Sequence, residues 1–75
     1  MVPTMKLSEL VPVLSVNVNT KKRISTITVH AGPYTFIAHC SGIYNELNAK
    51  NYFRQYPQRF IGPGAELAKY VSTKL

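Results

Sequence analysis

The chain has 75 residues, of which 45% are hydrophobic and 16% are charged, so its length allows one small domain and its low charged fraction argues against a disordered tail. No apolar stretch approaches the roughly 20 residues that cross a bilayer, so we expect no membrane partner. Nine Lys and Arg residues oppose three Glu residues, and the net charge of +6 favours acidic partners such as nucleic acid or an acidic protein surface.

Three short strands are predicted in the first half of the chain. Residues 8–11 suffice for one helical turn before Pro12, and beyond it apolar and polar residues alternate with the period of two that is typical of strands. The alternation covers residues 14–18, 26–29 and 34–40, and turn residues separate the three segments. Connections this short predict an antiparallel meander.

The lengths of the two turns predict the strand register. A first loop over residues 20–23 gives these pairs: Asn19 with Ile24, Val16 with Ile27, and Leu14 with Val29. A second turn centred on residues 31–32 gives these pairs: Val29 with Tyr34, and Ile27 with Phe36. Both hairpins then place their apolar residues on one face of the sheet and leave the other face mostly polar.

The second half of the chain carries helical signals. Ser41 is a candidate N-cap for a short piece over residues 42–47. Because the apolar residues before and after Asn48 fall on nearly opposite sides of a helix, we expect a break there, with Asn48 capping a second piece over residues 49–56. A Gly-Pro-Gly turn at residues 62–64 precedes a last helix. The predicted fold is α+β, a three-stranded antiparallel meander followed by short helices packed on one face, in the order β-β-β-α-α-α.

Residues 44–60 hold five of the eight aromatic residues and three of the nine basic ones. Cations beside flat rings are typical of surfaces that bind nucleic acid. Helical geometry turns the rings at positions 52, 53 and 56 inward and leaves Lys50 and Arg54 outside, although a ring surface exposed for base stacking is an alternative. With inward rings, the outer surface is a cationic strip able to bind phosphates and base edges. This basic strip consists of Lys50, Asn51, Arg54, Gln55, Gln58 and Arg59.

The densest run of charge lies at the tip of the first predicted hairpin, and we call it the basic tip: Lys21, Lys22 and Arg23. A polar turn of this kind often only keeps a hairpin end solvated. Three adjacent cations can also contact phosphates without sequence specificity. The residues predicted to bind nucleic acid or an acidic partner are Lys21, Lys22, Arg23, Lys50, Arg54, Gln55 and Arg59.

The sequence supports neither a catalytic group nor a metal site. His39 and Cys40 are neighbours in a strand, so their side chains point to opposite faces and the imidazole cannot activate the thiol. His30 shares the face of His39, but the predicted register separates the two by six positions, or about 20 Å. With no Asp and three scattered Glu residues, metal ligands are too few. We expect no enzyme and no cofactor.

Two functions are consistent with these features. The first is a small basic module that binds DNA or RNA through the basic tip and the basic strip. The second is a protein-binding inhibitor or adaptor, of the kind that viruses and phages encode, that docks on an acidic partner. A lone cysteine, Cys40, fits a reducing compartment, so we expect the cytoplasm, or the host cytoplasm for a virus-encoded protein. The first strand is a candidate sheet edge for homodimerisation.

Overall fold

The computed structural model describes residues 11–75, which form three antiparallel strands followed by helices. Strand β1 spans Pro12–Asn19, β2 spans Ile24–Ala31 and β3 spans Tyr34–Ser41, in the sheet order β1-β2-β3. Helix α1 spans Glu46–Gln55, a 3-10 turn spans Pro57–Arg59, and α2 spans Ala65–Ser72. The predicted α+β fold is confirmed. The helical turn predicted over residues 8–11 lies, apart from Val11, outside the described residues.

The first hairpin has the predicted register. Its four-residue loop pairs Asn19 with Ile24. The Asn19 Oδ1 atom accepts a hydrogen bond from the Lys22 N–H at 3.2 Å, and Arg23 adopts a left-handed conformation with a φ of 53°. A loop whose length and turn residues are both defined in this way fixes the pairing of the strands that it joins.

The second hairpin is tighter than predicted. Only Gly32 and Pro33 lie between the strands, so Ala31 pairs with Tyr34 and the predicted pairing is wrong by two residues. Gly32 has a φ of 59°, the positive value that two-residue hairpin turns require and that glycine adopts without strain. Because a shift of two residues keeps every side chain on its own face, the predicted core face is unchanged.

One face of the sheet forms the core and the other face is open. The core face carries these buried residues: Leu14, Ile27, Val29, Phe36, Ala38 and Cys40. On the open face, the Thr26 hydroxyl lies 3.1 Å from Nδ1 of His39, and the Thr35 hydroxyl lies 3.2 Å from Nδ1 of His30. An antiparallel sheet with one solvated face accounts for the alternation in the sequence.

Helix α1 begins later than predicted. The predicted helical piece before Asn48, its cap at Ser41 and the break at Asn48 are all wrong, because Ser41 is the last residue of β3 and α1 runs through Asn48 without interruption. The N-cap is Asn45, whose Oδ1 accepts a hydrogen bond from the Asn48 N–H at 2.7 Å. Leu47, which suggested a second core-facing side, is 66% exposed. Helix α1 therefore has one buried side, and no break is needed to bury a second one.

The segment between the two helices covers part of the outer edge of β3. The Ile61 N–H donates to the Ile37 carbonyl at 2.8 Å, and the Ile37 N–H donates to the Ile61 carbonyl at 2.9 Å. Gly62 follows, and a Cβ atom at this position would overlap the Phe36 ring. Glycine is needed here because the backbone passes directly over a core side chain. Helix α2 then returns to the core through Val71, which is fully buried.

Three phenylalanine rings connect the sheet to the helical layer. The ring centroids of Phe36 and Phe53 are 6.0 Å apart, and those of Phe53 and Phe60 are 4.6 Å apart. All three side chains are buried, and each contributes about 1.5–3 kcal/mol by leaving water. No helix in the described part of the chain is long and apolar enough to cross a membrane.

Candidate functional site

An open cleft of about 440 Å³ lies along one side of α1. We call it the tyrosine–amide cleft because three tyrosine rings and three side-chain amides form most of its wall. Its lining residues are Ile43, Tyr44, Asn48, Asn51, Tyr52, Gln55 and Tyr56. A concave surface that combines aromatic rings with a few polar groups is the usual form of a ligand site.

Helical spacing places four of the lining residues on one side of α1. Asn48, Asn51, Tyr52 and Gln55 are separated by three, one and three positions, so they lie above one another on successive turns. The Asn45 cap fixes where these turns begin. The opposite side of the helix carries the buried residues, so the cleft side faces away from the sheet core.

Tyr44 is held in the cleft by a buried hydroxyl in β2. The Ser25 hydroxyl donates a hydrogen bond to the Gly42 carbonyl at 2.8 Å and accepts one from the Tyr44 N–H at 2.9 Å. Ser25 is fully buried and lies on the core face of the sheet. Gly42 reverses the chain with a φ of 105°. The loop between β3 and α1 is thereby attached to the sheet at two points.

The tyrosine rings pack on one another around Tyr52. Its ring centroid lies 5.7 Å from that of Tyr44 and 5.4 Å from that of Tyr56, and on the core side it lies 5.8 Å from Phe60. Burial, followed by the nearby Cys40 thiol, raises the pKa of the Tyr44 hydroxyl. The ring wall of the cleft is therefore continuous with the hydrophobic core.

Arg59 supplies a cation at the margin of the cleft. Its guanidinium carbon lies 4.6 Å from the centroid of the Tyr56 ring, within the range of a cation–π interaction. The neighbouring Tyr52 hydroxyl raises the pKa of Arg59 above its ordinary value, and a guanidinium is charged at every physiological pH in any case. The 3-10 turn that carries Arg59 is the element that presents this charge to the tyrosines.

The structure divides the residues of the predicted basic strip. Gln55 lines the tyrosine–amide cleft and Arg59 stacks at its margin. Arg54 is exposed and lies about 60° around the helix from Asn51, beside the cleft. Lys50 is exposed but lies on a side of α1 that faces away from the cleft. The strip is therefore not one continuous surface.

The basic tip lies at the same end of the molecule as the cleft. Its three side chains are exposed, and the Arg23 carbonyl accepts a hydrogen bond from the Gly42 N–H at 2.7 Å. Two residues after Gly42 comes Tyr44, which lines the cleft. Folding thus joins the hairpin tip to the cleft through a single short loop, a proximity that the spacing in the sequence did not reveal.

The prediction that the tyrosine rings turn inward is only partly correct. Phe53 is buried, but Tyr52 is half-buried and Tyr56 is 37% exposed. Ser25 and Asn48 also contribute to the site, and neither was predicted to. The spacing of residues 48, 51, 52 and 55 was the available signal, because amides and a tyrosine recur there on one helical side.

The histidines and the cysteine do not form a site. Cys40 is buried in the core, whereas His39 lies on the open face of the sheet. His39 pairs with Thr26, whereas the predicted register paired it with Ile24. Four positions along the hairpin therefore separate His39 from His30, or about 13 Å. Within residues 11–75 no three His, Cys, Asp or Glu side chains cluster in a way that could hold a metal ion.

No family model, curated protein or solved structure matches this chain at a significant level. Its function therefore has to be inferred from the chemistry of the site. That chemistry consists of packed tyrosine rings, side-chain amides and a cation at the margin, with no ionised nucleophile in the cleft lining.

Proposed function

We propose that this protein is a small nucleic-acid-binding module that contacts phosphates through its basic tip and through Arg54 and Arg59. The observation that carries the proposal is the position of Arg59, whose guanidinium lies over the Tyr56 ring at the margin of an open tyrosine–amide cleft. A guanidinium at such a place can hydrogen-bond a phosphate or stack on a base.

The charge distribution supports a polyanionic ligand. The whole chain carries a net charge of +6, and the three exposed cations of the basic tip project from a loop linked to the cleft. Each phosphate that a cation neutralises releases a condensed counterion, which drives association. A ligand that extends from the basic tip to the cleft would meet cations at both ends.

The salt dependence of binding tests this proposal. A labelled DNA or RNA oligonucleotide should bind at low salt, with an affinity that falls linearly in log salt. Replacing Lys22 or Arg59 by a neutral residue, as in Lys22→Ala and Arg59→Gln, should reduce the slope by about 0.7–0.9 for each lost contact. Lys69→Ala on α2 is the matched control, because it removes the same charge from an exposed site outside the tip and the cleft.

Two results would refute the phosphate contacts. One is the absence of any complex with either DNA or RNA at low salt. The other is a slope that Lys69→Ala reduces as much as Lys22→Ala does, because the binding would then depend on total charge and not on the basic tip.

An acidic protein partner is the second candidate, and one observation favours it. Ile43 and Leu47 are 56% and 66% exposed beside the cleft, which leaves apolar surface next to the cations. Protein interfaces combine such apolar anchors with a charged rim. A nuclease-treated lysate should then yield one acidic protein that stays bound at moderate salt and is lost with Leu47→Ser. Light scattering during size exclusion would test homodimerisation through β1, where Val13 and the preceding Val11 are exposed.

A further inference from the structure

We propose that the tyrosine–amide cleft takes an unstacked base, so that the ligand of this protein is single-stranded nucleic acid. The inference rests on the proposed function and specifies its ligand. It assigns separate roles to two neighbouring surfaces: the cations hold the backbone, and the cleft holds a base.

The first argument is the stacking surface. Tyr56 is exposed at the edge of the cleft and carries the Arg59 guanidinium over its ring, while the half-buried Tyr52 supports it from behind at 5.4 Å. Bases of single strands stack on tyrosine rings and on guanidinium planes. The packing of Tyr52 against Phe60 anchors this surface in the core, so little side-chain freedom is lost when a base binds.

The second argument is the set of hydrogen-bonding groups. Asn48, Asn51 and Gln55 place three side-chain amides along the cleft, and each amide offers both donors and an acceptor. An amide can pair with the edge of a base through two hydrogen bonds, and adenine is the base that suits Asn and Gln best. Rings and amides in one cleft allow stacking and edge recognition of the same base.

The third argument is access. An open cleft of about 440 Å³ can contact the face of a base only if that base has left its stack. A duplex keeps its bases stacked and presents only their edges in the grooves, so it can reach the cations but not the inside of the cleft. Of the residues that the structure describes, those lining the cleft include no carboxylate, so nothing in its wall repels the phosphates on either side of the base.

Binding of single strands and duplexes to three variants tests the inference. The probes are a labelled adenine oligonucleotide of about 12 nucleotides and the matching duplex. The unchanged protein should prefer the single strand. Tyr56→Leu, which removes the ring and keeps apolar bulk, should lower single-strand affinity by about 5- to 100-fold and should lower duplex affinity much less, because a duplex keeps its bases away from the ring. Tyr56→Phe should retain the preference, whereas Arg59→Gln should lower the slope.

A second measurement does not depend on any variant. When the oligonucleotide is added, the side-chain amide signals of Asn48, Asn51 and Gln55 should shift in a nuclear magnetic resonance spectrum. The amide of Asn17 serves as the internal reference, because it lies on the open face of the sheet and not in the cleft.

The outcomes separate failure of the inference from failure of the proposed function. Salt-dependent binding with equal affinity for single strand and duplex, unaffected by Tyr56→Leu, would overturn the base site and leave the phosphate contacts standing. Absence of all nucleic-acid binding at low salt would overturn both. A proline-rich peptide that shifts the cleft amides while the oligonucleotide does not would overturn the base site too, since aromatic grooves also hold such peptides.

Discussion

Replacing Ser25 by alanine should destabilise the protein more than any other single hydroxyl deletion in residues 11–75. The Ser25 side chain is fully buried, and its oxygen bonds both the Gly42 carbonyl and the Tyr44 N–H. Alanine removes both hydrogen bonds without changing the packing volume much. The Gly42 and Tyr44 groups would then lack a partner in a region that water reaches poorly.

The expected cost follows from those two groups. A buried donor or acceptor left without a partner costs about 1–3 kcal/mol. Because both hydrogen bonds are only partly buried, the lower end of that range applies, about 1–1.5 kcal/mol for each group, and the sum is about 2–3 kcal/mol. For a domain of this size, such a loss should lower the melting temperature by about 10–20 °C. The lost free energy is a large fraction of the roughly 5–15 kcal/mol by which a typical folded state is stabilised.

Urea unfolding followed by circular dichroism measures this difference. With a slope near 1 kcal/mol per molar urea, the midpoint for Ser25→Ala should fall by about 2–3 M. Ser72→Ala is the matched control, since Ser72 is equally a buried serine but its hydroxyl donates only to the Lys69 carbonyl of its own helix. That variant should lose about 1 kcal/mol at most. Equal midpoints for the two variants would refute the role assigned to Ser25.

Two further predictions concern backbone approach and pH. Gly62→Ala should lower the free energy of unfolding by about 1–3 kcal/mol because a Cβ would overlap the Phe36 ring. Gly64→Ala, where nothing lies within 4 Å, should cost less than about 1 kcal/mol in the same urea assay, and equal losses would contradict the assignment. Because burial raises the Tyr44 pKa above 10.0, its contribution to stability is complete below pH 10.0 and is lost as the pH rises through the folded pKa. Above pH 10.0 the urea midpoint of Tyr44→Phe should therefore fall less steeply with pH than that of the unchanged protein. Parallel falls in the two proteins would argue against a raised Tyr44 pKa.

The sheet was predictable because its signals are local. Period-two alternation identified all three strands, and the loop after Asn19 had the length and turn residues that determine the pairing. The second turn was placed one residue too early at Ala31. Sequence alone did not distinguish a turn through Gly32 and Pro33 from a turn through Ala31 and Gly32, because both turns contain glycine. The core face was unaffected because the resulting error in pairing is an even number of residues.

The start of α1 was not predictable from hydrophobic periodicity. Ile43 and Leu47 are apolar but exposed, so they produced a second apolar side that does not face the core. Ser41 and Asn45 are both good N-cap residues by type, and the choice between them depends on β3 extending to Ser41. The length of β3 therefore determines which residue caps α1. That length depends on tertiary pairing, so a short stretch of sequence does not reveal it.

The cleft was missed because its parts are far apart in the sequence or look like core. Ser25 is separated from Tyr44 by 19 positions, yet its hydroxyl positions that residue. Tyr52 and Tyr56 have the spacing of core residues, and only the packed structure shows that Phe53 and Phe60 fill the core and leave the tyrosines at its margin. Of the three rings expected to turn inward, at positions 52, 53 and 56, only Phe53 is buried.

This arrangement determines which substitution can separate binding from stability. Tyr52 contacts Phe60 as well as the cleft, so replacing it would damage the core and the site together. Tyr56 contacts only Tyr52 and Arg59 among the aromatic and cationic groups described, and it is 37% exposed. Loss of its one aromatic contact should cost about 0.5–1.5 kcal/mol, which leaves a stable domain folded. A loss of single-strand binding in Tyr56→Leu, with a urea midpoint lowered by no more than that, would therefore report on the base site itself and not on the fold that supports it.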